Sequence, residues 1–111
     1  MQLSYAIKYV ADMGKAIAFH RDVLGLELKF ESPFWSEFAT GETTLALHAA
    51  SPENPAGQVQ LGFASDNLGE FYGMRDELGL NFTQPPTEMH GIHIARFHDV
   101  DGAETSVSGP V

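Results

Sequence analysis

The six residues Arg21-Asp22-Val23-Leu24-Gly25-Leu26 return as Arg75-Asp76-Glu77-Leu78-Gly79-Leu80, displaced by about half the chain. In the same register Asp12 falls on Asp66 and Ile17 on Phe71. A period of about 50 residues marks one supersecondary unit used twice.

Each copy reads alike. Residues 3–10 and 59–65 are short strand-like runs. Asp12 and Asp66 then stand where a carboxylate can accept from the first free amides of a helix. Residues 13–24 and 67–78 carry apolar side chains at helical spacing: Ala16, Phe19 and Val23, then Leu68, Phe71 and Leu78. Gly25 and Gly79 follow where a helix end favours a left-handed residue. Three strands should come next in each copy. In the first they are 27–32, 35–40 and 43–50, with Gly41-Glu42 turning the last pair. In the second they start near Asn81–Phe82 and continue as 91–98 and 103–108, turned by Asp99-Val100-Asp101-Gly102. The pattern is βαβββ twice, an α+β fold. It forms one domain, 1–111, of two tandem modules, 1–50 and 58–111, with 51–57 as linker. One helix covers one face of each module's sheet, and the twisted mixed sheet leaves the other face as a cup.

Composition narrows the partners. The net charge is −9, and the six Lys and Arg are scattered, so no nucleic acid partner is expected. No apolar run approaches the roughly 18 residues of a membrane span, so no membrane partner is expected either. Cysteine is absent, which excludes disulfides and thiolate metal sites. Met1-Gln2-Leu3-Ser4-Tyr5 has neither a basic nor an apolar leader region, and a cytoplasmic location is the expectation.

The run Ala11-Asp12-Met13-Gly14-Lys15-Ala16-Ile17-Ala18-Phe19-His20-Arg21-Asp22-Val23-Leu24-Gly25-Leu26 resembles the first-helix signature of the vicinal-oxygen-chelate superfamily. Phe97-His98-Asp99-Val100-Asp101-Gly102 resembles its late F-x-D-P-D-G turn, with Val100 in place of proline and Ala103 where asparagine is usual. The superfamily includes glyoxalase I, extradiol dioxygenases, fosfomycin-resistance enzymes and bleomycin-binding proteins. The resemblance implies a shared scaffold and leaves the chemistry open.

It also implies where a metal would sit. Enzymatic members hold a divalent ion through one ligand from the first and one from the last strand of each module. By position these fall on Tyr5 and Ala46, then on Gln60 and Ser106. A catalytic first-row metal needs about three good N, O or S donors. Alanine has none, serine and glutamine offer weak neutral oxygens, and a protonated tyrosine is a poor ligand. The expectation is a degenerate site with no metal or other cofactor. A displaced centre using His48, two residues beyond Ala46 on the same strand face, is the alternative. His90, His93 and His98 alternate sides of a strand and cannot pinch one ion. Asp99, Asp101 and Glu104 lack the remaining positions of a calcium loop and read as a hairpin turn.

Strand alternation assigns Leu61, Phe63, Leu45, Leu47, Phe38 and Phe97 to the helix side. It gives the cup Tyr5, Ile7 and Tyr9; Ala46 and His48; Trp35, Glu37 and Ala39; Gln60 and Gly62; and Ile94 and Arg96. Tyr5, Tyr9, Trp35, His48, Gln60, Ile94 and Arg96 therefore form the candidate ligand-binding set, with His48 as the best catalytic candidate. Trp35 and the tyrosines fit a dimer interface equally well. Arg96 reads either as a ligand anchor or as a salt-bridge partner of a carboxylate such as Glu37. Lys8 lands on the helix side, for which alternation gives no reason.

Three functions fit this lining. The first is binding or sequestering a small aromatic or hydrophobic organic molecule, with an acidic field that favours cations. The second is a glyoxalase-like lyase or isomerase, through a displaced metal or His48 as a metal-free base. The third is a regulatory or structural dimer. The first is preferred. A homodimer is favoured because open sheets leave edges that need covering. Pairing of modules within one chain or across two stays open.

Overall fold

The computed structural model describes residues 1–111. The chain divides into two compact units, Ser4–Val59 and Gln60–Val111, the latter together with Met1–Leu3. In the first, β1 (Gln2–Val10) leads to α1 (Met13–Ala18), a π-helical turn (Phe19–Val23), β2 (Glu27–Phe30), β3 (Trp35–Ala39) and β4 (Thr44–Ala49). The strand order is β2-β3-β4-β1, with β1 parallel to β4 and the other pairs antiparallel. In the second, β5 (Val59–Ala64) leads to α2 (Leu68–Gly73), α3 (Arg75–Leu78), β6 (Phe82–Met89), β7 (Ile92–His98) and β8 (Glu104–Ser108). Its order is β6-β7-β8-β5, with β5 parallel to β8. Each unit is therefore the α+β module βαβββ that the repeat implies. Residues 51–57 form an ordered turn, in which Ser51 and Asn54 bond each other's backbone and Gly57 N–H donates to the Tyr9 carbonyl. No helix is long and apolar enough to cross a membrane.

The helix starts correct the repeat by one residue. Asp12 caps α1 by accepting from the Lys15 amide at 3.0 Å, as expected. Asp66 does not cap α2; its neighbour Asn67 does, accepting from the Glu70 amide at 2.9 Å. Both types cap well, so composition alone could not choose between them. The C-terminal ends keep the sequence register, since Gly25 and Gly79 both turn left-handed, at φ 72° and 70°. The first helix thus holds one residue more than the second between cap and glycine. The wide π turn takes it up, with Leu24 N–H donating to the Phe19 carbonyl at 3.2 Å, five residues back. Leu26 N–H reaches the His20 carbonyl, six back, where Leu80 N–H reaches that of Arg75, five back.

Two faces follow from alternation in the first sheet. Phe38, Leu47 and Ile17 are buried together on the helix side, with Val10, Met13, Leu28 and Leu45 packed against them. Lys8 has a reason to be there. Its ammonium donates to His20 Nε2 at 3.3 Å, while His20 Nδ1–H donates to the Ala16 carbonyl at 2.8 Å. A carbonyl only accepts, so Nδ1 carries the proton and Nε2 is left for Lys8. In the second module Leu68, Ala95 and Val107 are buried against Phe63, Phe71, Phe82 and Phe97. Leu61, expected on this covered side, is 42% exposed.

The C-terminal segment completes α2. The Pro110 carbonyl accepts from the Leu68 and Gly69 amides at 2.6 and 3.3 Å, two of the donors a helix start leaves open. Gly109, which brings it there, sits at φ 156° against the Ser65 carbonyl.

Candidate functional site

The face of the first sheet away from α1 is aromatic. Ile7, Tyr9 and Ala46 are buried there, with Tyr5 and Trp35 packed beside them. The register makes this set: Ile7 lies opposite Ala46, Tyr9 opposite His48, and Trp35 opposite His48 on the other flank. Four rings run in series. Centroid distances are 5.9 Å from Tyr5 to Trp35, 5.8 Å from Trp35 to His48 and 4.9 Å from His48 to Tyr9. The Trp35–His48 contact is edge-on at 85°, a geometry favoured by the ring quadrupoles. Trp35 Nε1–H donates to Glu37 Oε2 at 2.8 Å. His48 Nδ1–H donates to the Ala49 carbonyl at 2.8 Å, which leaves Nε2 as the acceptor of a neutral ring.

Burial, and then the nearby Glu37 carboxylate, raise the Tyr5 pKa above the ordinary tyrosine value. Between the ordinary and raised values, the folded chain holds a proton that the unfolded chain has released. Stability from this group is thus complete below the ordinary value and is lost as pH rises through that window. Glu37→Gln should lower the Tyr5 titration only part way, because burial is the larger cause. Near-ultraviolet tyrosinate absorbance, differenced against Tyr5→Phe, measures it. A midpoint unmoved by Glu37→Gln would contradict this account.

The positions implied for a metal can now be tested by their donors. In the first module, Tyr5 offers only a phenol, and Ala46, fully buried, has no donor atom. In the second, Gln60, whose N–H donates to Glu104 Oε1 at 3.3 Å, offers only a neutral amide oxygen, and Ser106, between Gly62 and Arg96, only a neutral hydroxyl. This donor set does not fit a catalytic divalent ion. No three His, Cys, Asp or Glu side chains come together as a metal-binding group, and His90, His93 and His98 are not gathered into one. Asp99 closes the late hairpin: its Oδ1 accepts from the Asp101 and Ala103 amides, both at 2.9 Å.

The second module's candidates lie on one side of its sheet. Ala95 and Val107 are buried on the helix side, so Ile94, Arg96 and Ser106 take the other. The guanidinium of Arg96 makes no ion pair; Nη1 donates to Gln84 Oε1 at 3.4 Å. Sequence reasoning missed Gln84. The strand expected to start near Asn81–Phe82 was given no face assignment, and a bulge between Phe82 and Gln84 turns Gln84 to the side of Arg96. It also passed over Glu104 as part of a turn, although Glu104 shares the strand parity of Ser106 and binds both Gln60 and Thr83.

No curated protein matches the chain. Many solved structures share its fold, among them the following three. A hypothetical protein from Bacillus halodurans superposes with a TM-score of 0.77 at 16% identity, covering 99% of this chain and 94% of its own. A protein described as an NAD-dependent benzaldehyde dehydrogenase from Legionella pneumophila gives 0.76 at 19% identity, covering 96% and 98%. Methylmalonyl-CoA epimerase from Mycobacterium tuberculosis gives 0.75 at 17% identity, covering 99% and 88%. At such identities these likenesses speak for the scaffold and not for a reaction. The family model of the Glyoxalase/Bleomycin resistance protein/Dioxygenase superfamily matches residues 2–107, and with the two βαβββ modules in place the chain belongs to that superfamily.

Proposed function

We propose that the chain binds a small aromatic or hydrophobic organic molecule without the aid of a metal ion, and that the aromatic face of the first module is its seat. The observation that carries this reading is the ring series Tyr5, Trp35, His48 and Tyr9 around a buried alanine, at a position where superfamily enzymes carry a metal ligand. A face of flat rings edged by the Glu37 carboxylate, the Tyr5 hydroxyl and His48 Nε2 suits a planar ligand that needs orienting.

Trp35 is the chain's one tryptophan, so its fluorescence reports on the seat alone. Neutral planar aromatics that raise the melting temperature should also quench it, and Trp35→Ala should lower their affinity at least about fivefold, since stacking on one ring is worth about 1–3 kcal/mol. Stabilising compounds that leave the fluorescence untouched would move the seat elsewhere. A stoichiometric, tightly held divalent ion in purified protein, lost on His48→Ala, would replace this reading with the lyase or isomerase alternative.

A further inference from the structure

Arg96 is a half-buried cation with no ion pair, in a chain that carries 15 Asp and Glu. Its one protein hydrogen bond is long, 3.4 Å, and goes to a neutral amide. No buried side-chain nitrogen or oxygen lacks a partner, so the remaining guanidinium donors open to solvent. The register places Arg96 in a row across the second sheet, with Gln84 opposite it on β6, Ser106 opposite it on β8, and Gly62 beyond Ser106 on β5. Gly62 adds no side chain to the row. Glu104, the acid nearest along β8, is already committed to Gln60 Nε2 and Thr83 Oγ1.

A guanidinium drawn partly out of water without a counter-charge is a standing cost to the fold, and an anion that meets its fork relieves it. Arg presents parallel N–H donors that match two carboxylate oxygens, and charge-assisted bonds of this kind are about twice as strong as neutral ones. We propose that this row is an anion subsite for the carboxylate of a small organic acid, held two-pronged by Arg96 with the Ser106 hydroxyl donating to one oxygen. One guanidinium and one hydroxyl match a single negative charge. A doubly charged phosphoryl group would leave a second charge uncompensated beside Glu104. The net charge of −9 suggests a cationic ligand when taken alone, but distant charges are screened beyond about 8 Å at physiological salt, and the local cation decides. This inference rests on the second module alone and does not need the aromatic seat of the first.

Benzoate, with benzamide as its neutral isostere, benzylamine as the cation and inorganic phosphate as the competing anion, provides the test. Calorimetry gives affinity, and the Arg96 Nε–H resonance in nitrogen-15 spectra reads the contact itself. Benzoate should bind and shift that resonance; benzamide and benzylamine should not. Arg96→Met should weaken benzoate at least tenfold, and Ser106→Ala severalfold. Should Arg96→Met fail to fold, Arg96→Lys keeps the charge without the fork and should still lose most of the affinity. Benzoate binding that survives both Arg96 variants overturns the proposal, as does wild-type protein that ignores benzoate at tens of millimolar. Phosphate binding tighter than benzoate overturns the carboxylate assignment. Failure of the first-module reading would show separately, as neutral aromatics that leave Trp35 fluorescence unchanged.

Discussion

Replacing Phe38 by alanine is expected to remove about 3–5 kcal/mol of stability, a large part of the roughly 5–15 kcal/mol that a domain of this size possesses. Phe38, in β3, has no exposed surface and packs in one cluster with Ile17 of the helix and Leu47 of β4. Its ring also lies 5.7 Å from that of His20, so truncation opens a void beside the Lys8–His20 contact as well as losing apolar burial. The strands around it are hydrogen-bonded on both sides and cannot close in, which puts the site at the costly end of the range. Urea denaturation should show a lower midpoint with an unchanged slope, and the melting temperature should fall by more than about 10 °C. A loss below about 1 kcal/mol would mean that the helix-side core does not pack as described.

Gly109→Ala is the second substitution with a large expected effect, and its cause is backbone rather than core. A Cβ at this position would fall well inside contact distance of the Ser65 carbonyl oxygen, a backbone atom that cannot swing aside as a side chain can. Ser65 N–H donates to the Ser108 carbonyl at 2.8 Å and Gly109 N–H to that of His93 at 3.1 Å, so relief must break pairing or pull Pro110 off the start of α2. The expected loss is more than about 2 kcal/mol. Gly41→Ala is the control. Gly41 has φ 94° but nothing within 4 Å of its absent Cβ, so it meets the conformational penalty of about 1 kcal/mol without the collision. Thermal denaturation of the two variants measures the difference, and equal losses would disprove a steric role for Gly109.

Much of this architecture was legible in the sequence because alternation and the repeat are both periodic signals. The face assignments of Tyr5, Tyr9, Ala46 and His48 against Leu45, Leu47 and Phe38 follow from strand period alone, and the two separate buried clusters of the first sheet bear them out. What broke the period was not legible. The additional residue in the first helix left Asp66 aligned with Asp12, while the real cap moved to Asn67. The bulge beside Phe82 hid Gln84, and with it the partner of Arg96. Lys8 defied explanation because its acceptor, His20, is brought to it by helix packing rather than by any pattern along the chain. The Trp35–Glu37 bond, by contrast, joins residues two apart on one strand, and that spacing was a signal available from the start.

The wide turn at Phe19–Val23 has a consequence for how the two halves stay alike. One more residue in a regular α-helix rotates everything after it by about 100° and advances it by 1.5 Å. In a regular helix the Gly25-Leu26 exit would then leave on a different bearing. The π turn loops out the surplus within Phe19–Val23, and both halves still leave their helices through a left-handed glycine, Gly25 and Gly79. A length mismatch that ought to have made the halves dissimilar is thereby confined to five residues, and the kinship between them is still readable in the letters on either side.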